Sequence, residues 1–321
     1  MAVDQKVSIF TTALRKEFVN AYFATANPAP WENYTTIVPS TARIEHYTWM
    51  TPSPGLAQYA GHRRYANIDA VKYSVENLEF DAAFQVRLRD IEDDQTGGYM
   101  LKPKELAERA KKFPGRWVLK HLSQGKTYTC FDGTAMFANS HTLGSGRNLL
   151  TYDGSANDGL TFKLVALYHG GPLKPLLYQR RKEPDFQTNA GSVESKENKE
   201  VRYWIDMEGA AGFGYWWDAI WVDITDTPTV SEIHTILGNI KTAFMTFQLP
   251  KALTSEDGEY VHEQTEFSSA NLTLVGSPGL DNLMRQVLNQ DWVPQNVGSN
   301  TVATTNYWKG FANWVPSAFL A

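Results

Sequence analysis

From Leu78 to Leu88 apolar and polar residues alternate, save for Ala83 on the polar side. Leu78, Phe80, Ala82, Phe84, Val86 and Leu88 fall on one side, and Asn77, Glu79, Asp81, Gln85, Arg87 and Arg89 on the other. A period of two is what an extended strand with one wet face requires. At about 3.3 Å per residue it reaches on the order of 40 Å, roughly twice a typical strand. An ordinary sheet strand would show the same alternation. The length favours one leg of a long hairpin that leaves the body of the protein.

Elsewhere the period is helical. Phe10, Leu14, Phe18 and Ala21 predict a helix over 8–22. After it, NPAPWENYTTIVPS reads as an extended connector. Residues 43–50, with Trp49 near their end, suit a strand, and Pro52, Pro54 and Gly55 suit a loop tip. Residues 65–75 show no decisive period. Pro103 opens a helix carrying Leu106, Ala110, Phe113 and Trp117, which should kink or break at Pro114 and Gly115, resume to Gln124 and stop at Gly125. Residues 142–159 read as a polar loop, 162–168 as a strand and 188–199 as a flexible loop. The tract Arg180, Arg181, Lys182 suits a solvated or partner-facing edge. Residues 201–221, rich in Trp, Tyr and Gly, suit strands around a turn. Thr229 and Glu232 form a capping box ahead of Ile233, Leu237, Ile240, Phe244 and Phe247. A buried strand at 271–275, a helix after Pro278 and a closing strand complete the pattern.

Composition narrows the function. Of 321 residues, 42% are hydrophobic and 20% charged, which is a folding chain. The net charge of −5 gives no footprint for tight nucleic-acid binding. Cys130 is the single cysteine, so no intramolecular disulfide forms and a cytoplasmic origin is expected. The opening MAVDQKVSIF lacks the features of a signal peptide, and no apolar run is long enough to span a membrane.

Candidate chemistry is sparse. YTCFDGTAMFANSH, from Tyr128 to His141, sets Asp132 near Ser140 and His141, which invites a hydrolase reading. No G-x-S-x-G elbow accompanies it, and Asp132-Gly133 is first of all a turn signal. We therefore read Asp132 and Gly133 as a structural turn after the Pro103 helix, with no catalytic residues. The run Asp90, Glu92, Asp93, Asp94 resembles a calcium loop, but Leu101 stands where the closing carboxylate belongs. His46, His62, His121, His169, His234 and His262 have no metal-ligand spacing, and Gly209, Gly212 and Gly214 do not make a dinucleotide fingerprint. No metal and no cofactor is expected.

Six blocks in order carry a resemblance that covers nearly the whole chain: ALRKEF, RLRDIEDDQTGGY followed by the Pro-containing helix, CFDGTAMFANSH, LKPLLYQRRKEPDF, VRYWIDMEGAAGFGYWW, and LTLVGSPGLDNLMRQVLNQDW with TNYWKGFANWVPSAFL. Together they resemble the major head subunit family of Mu-like bacteriophages. Cys130, where an aromatic residue is common, and the region around His262 depart from the pattern. The resemblance implies an α+β Hong Kong 97-type capsid fold: an N-terminal arm (1–42), an extended loop with its long strand (43–90), and a peripheral domain (91–160) with a spine helix at 103–124. An axial domain (161–300) and a C-terminal strand returning to the peripheral domain (301–321) complete it. It further implies a head protein that assembles with itself into hexamers and pentamers of an icosahedral virion shell, after synthesis in a host cytoplasm. Such a shell encloses double-stranded DNA with weak, non-specific contact. Its implied partners are a portal and scaffold or decoration proteins, with no membrane. The assembly residues implied are Phe10, Leu14 and Phe18 on the arm, Trp49, Pro52, Pro54 and Gly55 toward the loop tip, and Leu78, Phe80, Phe84, Val86 and Leu88 on the strand. The alternatives are an encapsulin-like compartment with enzymatic cargo, a hydrolase using Asp132 and His141, and an aromatic sugar-binding module.

Overall fold

The computed structural model describes residues 3–25, 31–50, 73–93, 98–248, 261, 268–297 and 300–321. The first apolar stripe folds as α1 (Val3–Ala24), with Leu14 and Phe18 buried and Phe10 half-buried. The connector after it supplies β1 (Thr35–Pro39). β2 (Ile44–His46) and β3 (Ser74–Glu76) pair antiparallel as a short two-stranded ribbon. Pro52, Pro54 and Gly55 lie between them, outside the described residues. β4 (Leu78–Arg87) keeps the alternation, with Phe80, Ala82, Phe84 and Val86 the more buried set. Leu88 is not its last residue but the first of α2 (Leu88–Asp93). There follow α3 (Leu101–Ser123), β5 (Leu149–Asp153), β6 (Thr161–Tyr168), β7 (Leu176–Thr188), α4 (Val193–Asn198) and β8 (Glu200–Phe213). The chain continues with β9 (Ala219–Thr225), α5 (Val230–Thr246), β10 (Leu272–Gly276), α6 (Asp281–Asn289), β11 (Trp292–Val297), β12 (Asn300–Thr305) and β13 (Asn313–Pro316).

Two sheets organise these elements. One has the order β1-β7-β8-β4, the other β13-β10-β6-β9-β5. α1 and α3 cover the first. Phe80 of β4 packs on Phe113 and Trp117 of α3 at 4.6 and 4.9 Å, and Phe18 stacks on Phe186 of β7 at 5.3 Å. α5 and α6 send Ile233, Leu237, Phe244, Met284 and Val287 into the larger core, where Phe244 meets Tyr168 of the second sheet. Each such side chain contributes about 1.5–3 kcal/mol on leaving water. The capping box reads true: Thr229 accepts from the Glu232 amide, and Glu232 accepts from the Thr229 amide.

The structure corrects several expectations. β4 is not a hairpin leg leaving the body, for it pairs along its whole length with β8, more than a hundred residues later. Alternation reports which face is wet, and that wet face belongs to a sheet. α3 runs through Pro114 unbroken. Ala110, Val118 and Leu122 are buried on either side, so packing holds the turn that loses its amide donor. The expected polar loop contains β5, and the expected flexible loop contains α4. The sheets also cut across the ranges 91–160, 161–300 and 301–321. β7 and β8 join β4, while β5 and the closing strand β13 join β6, β9 and β10. The last strand thus enters the second sheet, and the turn after it, Ala318–Leu320, contacts α3.

Gly115 lets α3 approach Trp31: a Cβ there would lie 2.6 Å from the indole ring. A helix gains about 1 kcal/mol from Gly→Ala, but overpacking costs about 1–3 kcal/mol. Gly115→Ala should therefore lower the urea midpoint of the unassembled protein, whereas in a Trp31→Leu background the same change should be neutral or stabilising.

Candidate functional site

The residues between α3 and β5 bring the candidate chemistry together. α3 ends at Ser123, and the chain turns back in a small hairpin held by Met136 N–H to Tyr128 O and Cys130 N–H to Thr134 O. Asp132 and Gly133 form its tip, with Gly133 at φ +81°, a region where glycine avoids the Cβ clash. The turn reading of this pair fits that geometry.

Asp132 is the hub of a closed polar cluster. Its Oδ1 accepts from the Thr134 amide, the Thr134 hydroxyl and the Cys130 thiol, and its Oδ2 accepts from His141 Nδ1 at 3.0 Å and the Thr142 amide at 3.1 Å. The side chains of Asp132 and His141 are wholly removed from solvent. Burial pushes the Asp132 carboxyl up, but hydrogen bonds from His141, Thr134 and Cys130 outweigh it and hold the group well below the usual carboxylate range. Burial drives the Cys130 thiol far up, with the Asp132 charge adding to the effect, so sulfur stays a protonated donor.

Asn148 closes the other side, and the sequence reading missed it. Its Nδ2 donates to Met136 O and Trp216 O, and its Oδ1 accepts from the Ala138 amide and faces His141 Nε2 at 3.1 Å. Trp216 lies flat against the imidazole, with centroids 4.0 Å apart and planes 1° from parallel. An asparagine ahead of a strand carries no pattern in the chain. Only the fold shows that its four hydrogen-bonding positions are used.

This arrangement does not support hydrolysis. A general base needs one ring nitrogen free for the nucleophile. Here Asp132 engages Nδ1, Asn148 engages Nε2 and Trp216 covers one ring face. Ser140 is exposed and makes no hydrogen bond to the ring among the described residues. Cys130, Asp132 and His141 lie within 4.8 Å of one another, as metal ligands can. The Asp132 oxygens already accept from Cys130, His141, Thr134 and Thr142, and His141 Nε2 faces Asn148 Oδ1, so the cluster is explained as a hydrogen-bonded joint. In the acidic run, Asp90 accepts from Tyr99 and Arg89 pairs with Asp93, while Asp94 lies outside the described residues.

The assembly candidates occupy different environments. Phe10, Leu14 and Phe18 dock α1 on the chain's own surface: Phe10 faces Tyr99 and Tyr203, and Thr11 shares a 3.1 Å hydrogen bond with Tyr203. Phe80, Phe84 and Val86 also pack within the chain, Phe84 on Tyr203 at 5.2 Å. Leu88 is half-buried, whereas Leu78 and Trp49 are 45% and 49% exposed. No helix among the described residues is long and apolar enough to cross a membrane.

Two sheets braced by helices, with the long α3 across the first, form an α+β fold of the Hong Kong 97-type capsid class. The fold is similar to the capsid of bacteriophage JBD30 (TM-score 0.69, 18% identity, 93% of each chain) and to its procapsid (TM-score 0.69, 23% identity, 98% of each chain). In sequence the chain is 26% identical over 278 residues to the Mu-like prophage FluMu major head subunit of Haemophilus influenzae, covering 77% of this chain and 90% of that one. It is also 26% identical over 224 residues to the major capsid protein of Escherichia phage Mu, covering 67% and 72%. The chain belongs to the Mu-like prophage major head subunit gpT family, whose model matches residues 7–320. It is a capsid protein and not an enzyme.

The joint should be acid-labile. Because the folded Asp132 value lies below the unfolded one, its stabilisation is complete above the ordinary range near pH ~4 and drains away as pH falls toward the folded value. Asp132→Asn should cost about 3 kcal/mol at pH 7, the scale of breaking a buried pair. The gap between the denaturant midpoints of the two proteins should narrow as pH falls below about 4 and still be substantial at pH ~3, closing only as pH approaches the depressed folded value.

Proposed function

We propose that copies of this chain close into an icosahedral head built of hexamers and pentamers, enclosing double-stranded DNA. The supporting observation is the short ribbon. β2 and β3 share only three residue pairs. A lone two-stranded ribbon is marginal in water. Trp49 lies beside it, half exposed and edge-on to Tyr47 at 5.6 Å, and Ile44 is 42% exposed. Tyr47, Tyr73 and Val75 anchor one side of the pair in the chain's own core, and the other side, with Ile44 and Trp49, gains its cover when a neighbouring copy lies over it.

In this reading the sheet of β1, β7, β8 and β4, with α1 and α3, forms the peripheral part. The sheet of β13, β10, β6, β9 and β5 forms the axial part at the capsomer centre. Trp49, Pro52, Pro54, Gly55 and Leu78 belong to the intersubunit contact of the extended loop. Phe10, Leu14, Phe18, Phe80, Phe84, Val86 and Leu88 shape the protomer that makes it. A portal at one vertex and scaffold or decoration proteins complete the particle. The net charge of −5 suits a container that holds duplex weakly, since tight phosphate contact would resist packaging and release.

Negative-stain microscopy of the concentrated protein should show closed hollow particles, and Trp49→Ser should reduce their yield at least tenfold while leaving the protomer folded by circular dichroism. A chain that stays a monomer at high concentration overturns the reading. Empty particles should bind added duplex only at low salt; tight binding that survives physiological salt overturns the container argument.

A further inference from the structure

β4 is the last strand of its sheet, and its outer edge has no neighbouring strand among the described residues. Unpaired edges recruit other strands, and sheets ordinarily blunt them with short length, Pro, Lys or bulges. The other edges here follow that rule. β1 has five residues and ends in Pro39, β5 has five, and β13 has four and ends in Pro316. β7 beyond Arg180, where β1 stops, carries two register shifts and Pro184. β4 departs in length and regularity: ten residues, LEFDAAFQVR, with no Pro, Gly or Lys and an unshifted register, so its only edge protection is the charge of Glu79, Asp81 and Arg87.

The charges along β4 are left open inside the protomer. Glu79 lies opposite Glu208, and Asp81 opposite Asp206. Like charges directly opposite destabilise a ladder. The nearby cations serve the β8 acids only, Arg181 pairing with Glu208 and Lys182 with Asp206. Glu79 and Asp81 form no ion pair among the described residues, and neither does Arg87, although Glu200 stands opposite it.

Read antiparallel against itself about Ala83, β4 is complementary. Glu79 meets Arg87 and Asp81 meets Gln85 on the wet face, while Phe80 meets Val86 and Ala82 meets Phe84 on the apolar face. A cleft of about 420 Å³ by α1 lies elsewhere, but one of about 270 Å³ lies between β4, β8 and α3, lined by Phe80, Ala82, Leu106, Phe113 and Ile205. The apolar face of the incoming strand would lie beside it.

We infer that β4 pairs antiparallel with β4 of a second copy about a two-fold axis at Ala83, joining four strands from each copy into one sheet. The inference rests on the shell-forming reading and names one of its contacts. The contact is isologous, each copy offering the same patch to the other. Facing Cα atoms at the axis would lie about 4.5–5.5 Å apart, within disulfide reach.

Two experiments test it. Particles of Ala83→Cys protein, oxidised after assembly, should run as covalent dimers on a non-reducing gel. Wild type should not, because Cys130 is buried. Glu79→Arg alone and Arg87→Glu alone should each cut particle yield at least tenfold, and the two together should restore it to within about twofold. Intact Ala83→Cys particles whose new thiols stay monomeric and open to maleimide overturn the inference. So do single reversals without effect, or a double reversal that fails to rescue. If Ala83→Cys does not assemble, the charge-swap series decides alone. Failure of wild type to form particles would instead sink the shell reading, a separate result.

Discussion

The two sheets are held in register by one buried polar joint. The chain crosses between them three times, and two of those crossings, from α3 to β5 and from β8 to β9, meet at the joint. Asp132 and His141 belong to the first. Trp216, which stacks on His141, belongs to the second. Asn148 ties them, giving its amide hydrogens to Met136 and Trp216 while its backbone carbonyl accepts from the Trp221 amide of β9. Such a cluster is costly when any member is unmatched and rigid when all are matched. Here the carboxylate, the imidazole and the amide each find partners in the others, so the crossing has one low-energy arrangement. A shell subunit must repeat one shape many times, and a joint that tolerates a single geometry serves that need.

The hydrophobic core alone would not set that geometry. Apolar packing between the sheets is non-directional, and Phe137, Trp216, Trp221 and Phe247 could settle in several ways against one another. The polar joint supplies direction. It also explains why catalytic-looking residues carry no catalysis: every atom that chemistry would use is committed to holding the two crossings.

How much of this was legible in the sequence follows from what periodicity encodes. The alternation of Leu78–Arg87 gave the strand and its wet face correctly, because burial repeats every second residue. It could not name β8 as the partner, because pairing depends on residues far along the chain. The capping box at Thr229 was legible because it is local. Pro114 misled for the same reason: a local rule met long-range packing by Phe80 and lost. β5 hid in a polar stretch since, at the edge of its sheet, it needs little apolar surface. Asp132-Gly133 was readable as a turn, while Asn148 and Trp216 became site residues only once two remote segments met.

One consequence links the joint to assembly. The sheet carrying β4 is braced on one face by α1 and α3, and Tyr203 serves as the meeting point of Phe10, Phe84 and Phe186. That bracing fixes the twist of β4 and therefore the direction in which its outer edge points. Leu14 and Phe18, assembly residues in what the resemblance implies, are buried against the chain's own sheet and brace it from inside. The surface left for a neighbour is made of what the core does not use: a strand edge, two unpaired acids and a half-exposed tryptophan. In a shell protein the core aims the surface, and contacts between copies need only be modest because each is presented in the same orientation every time.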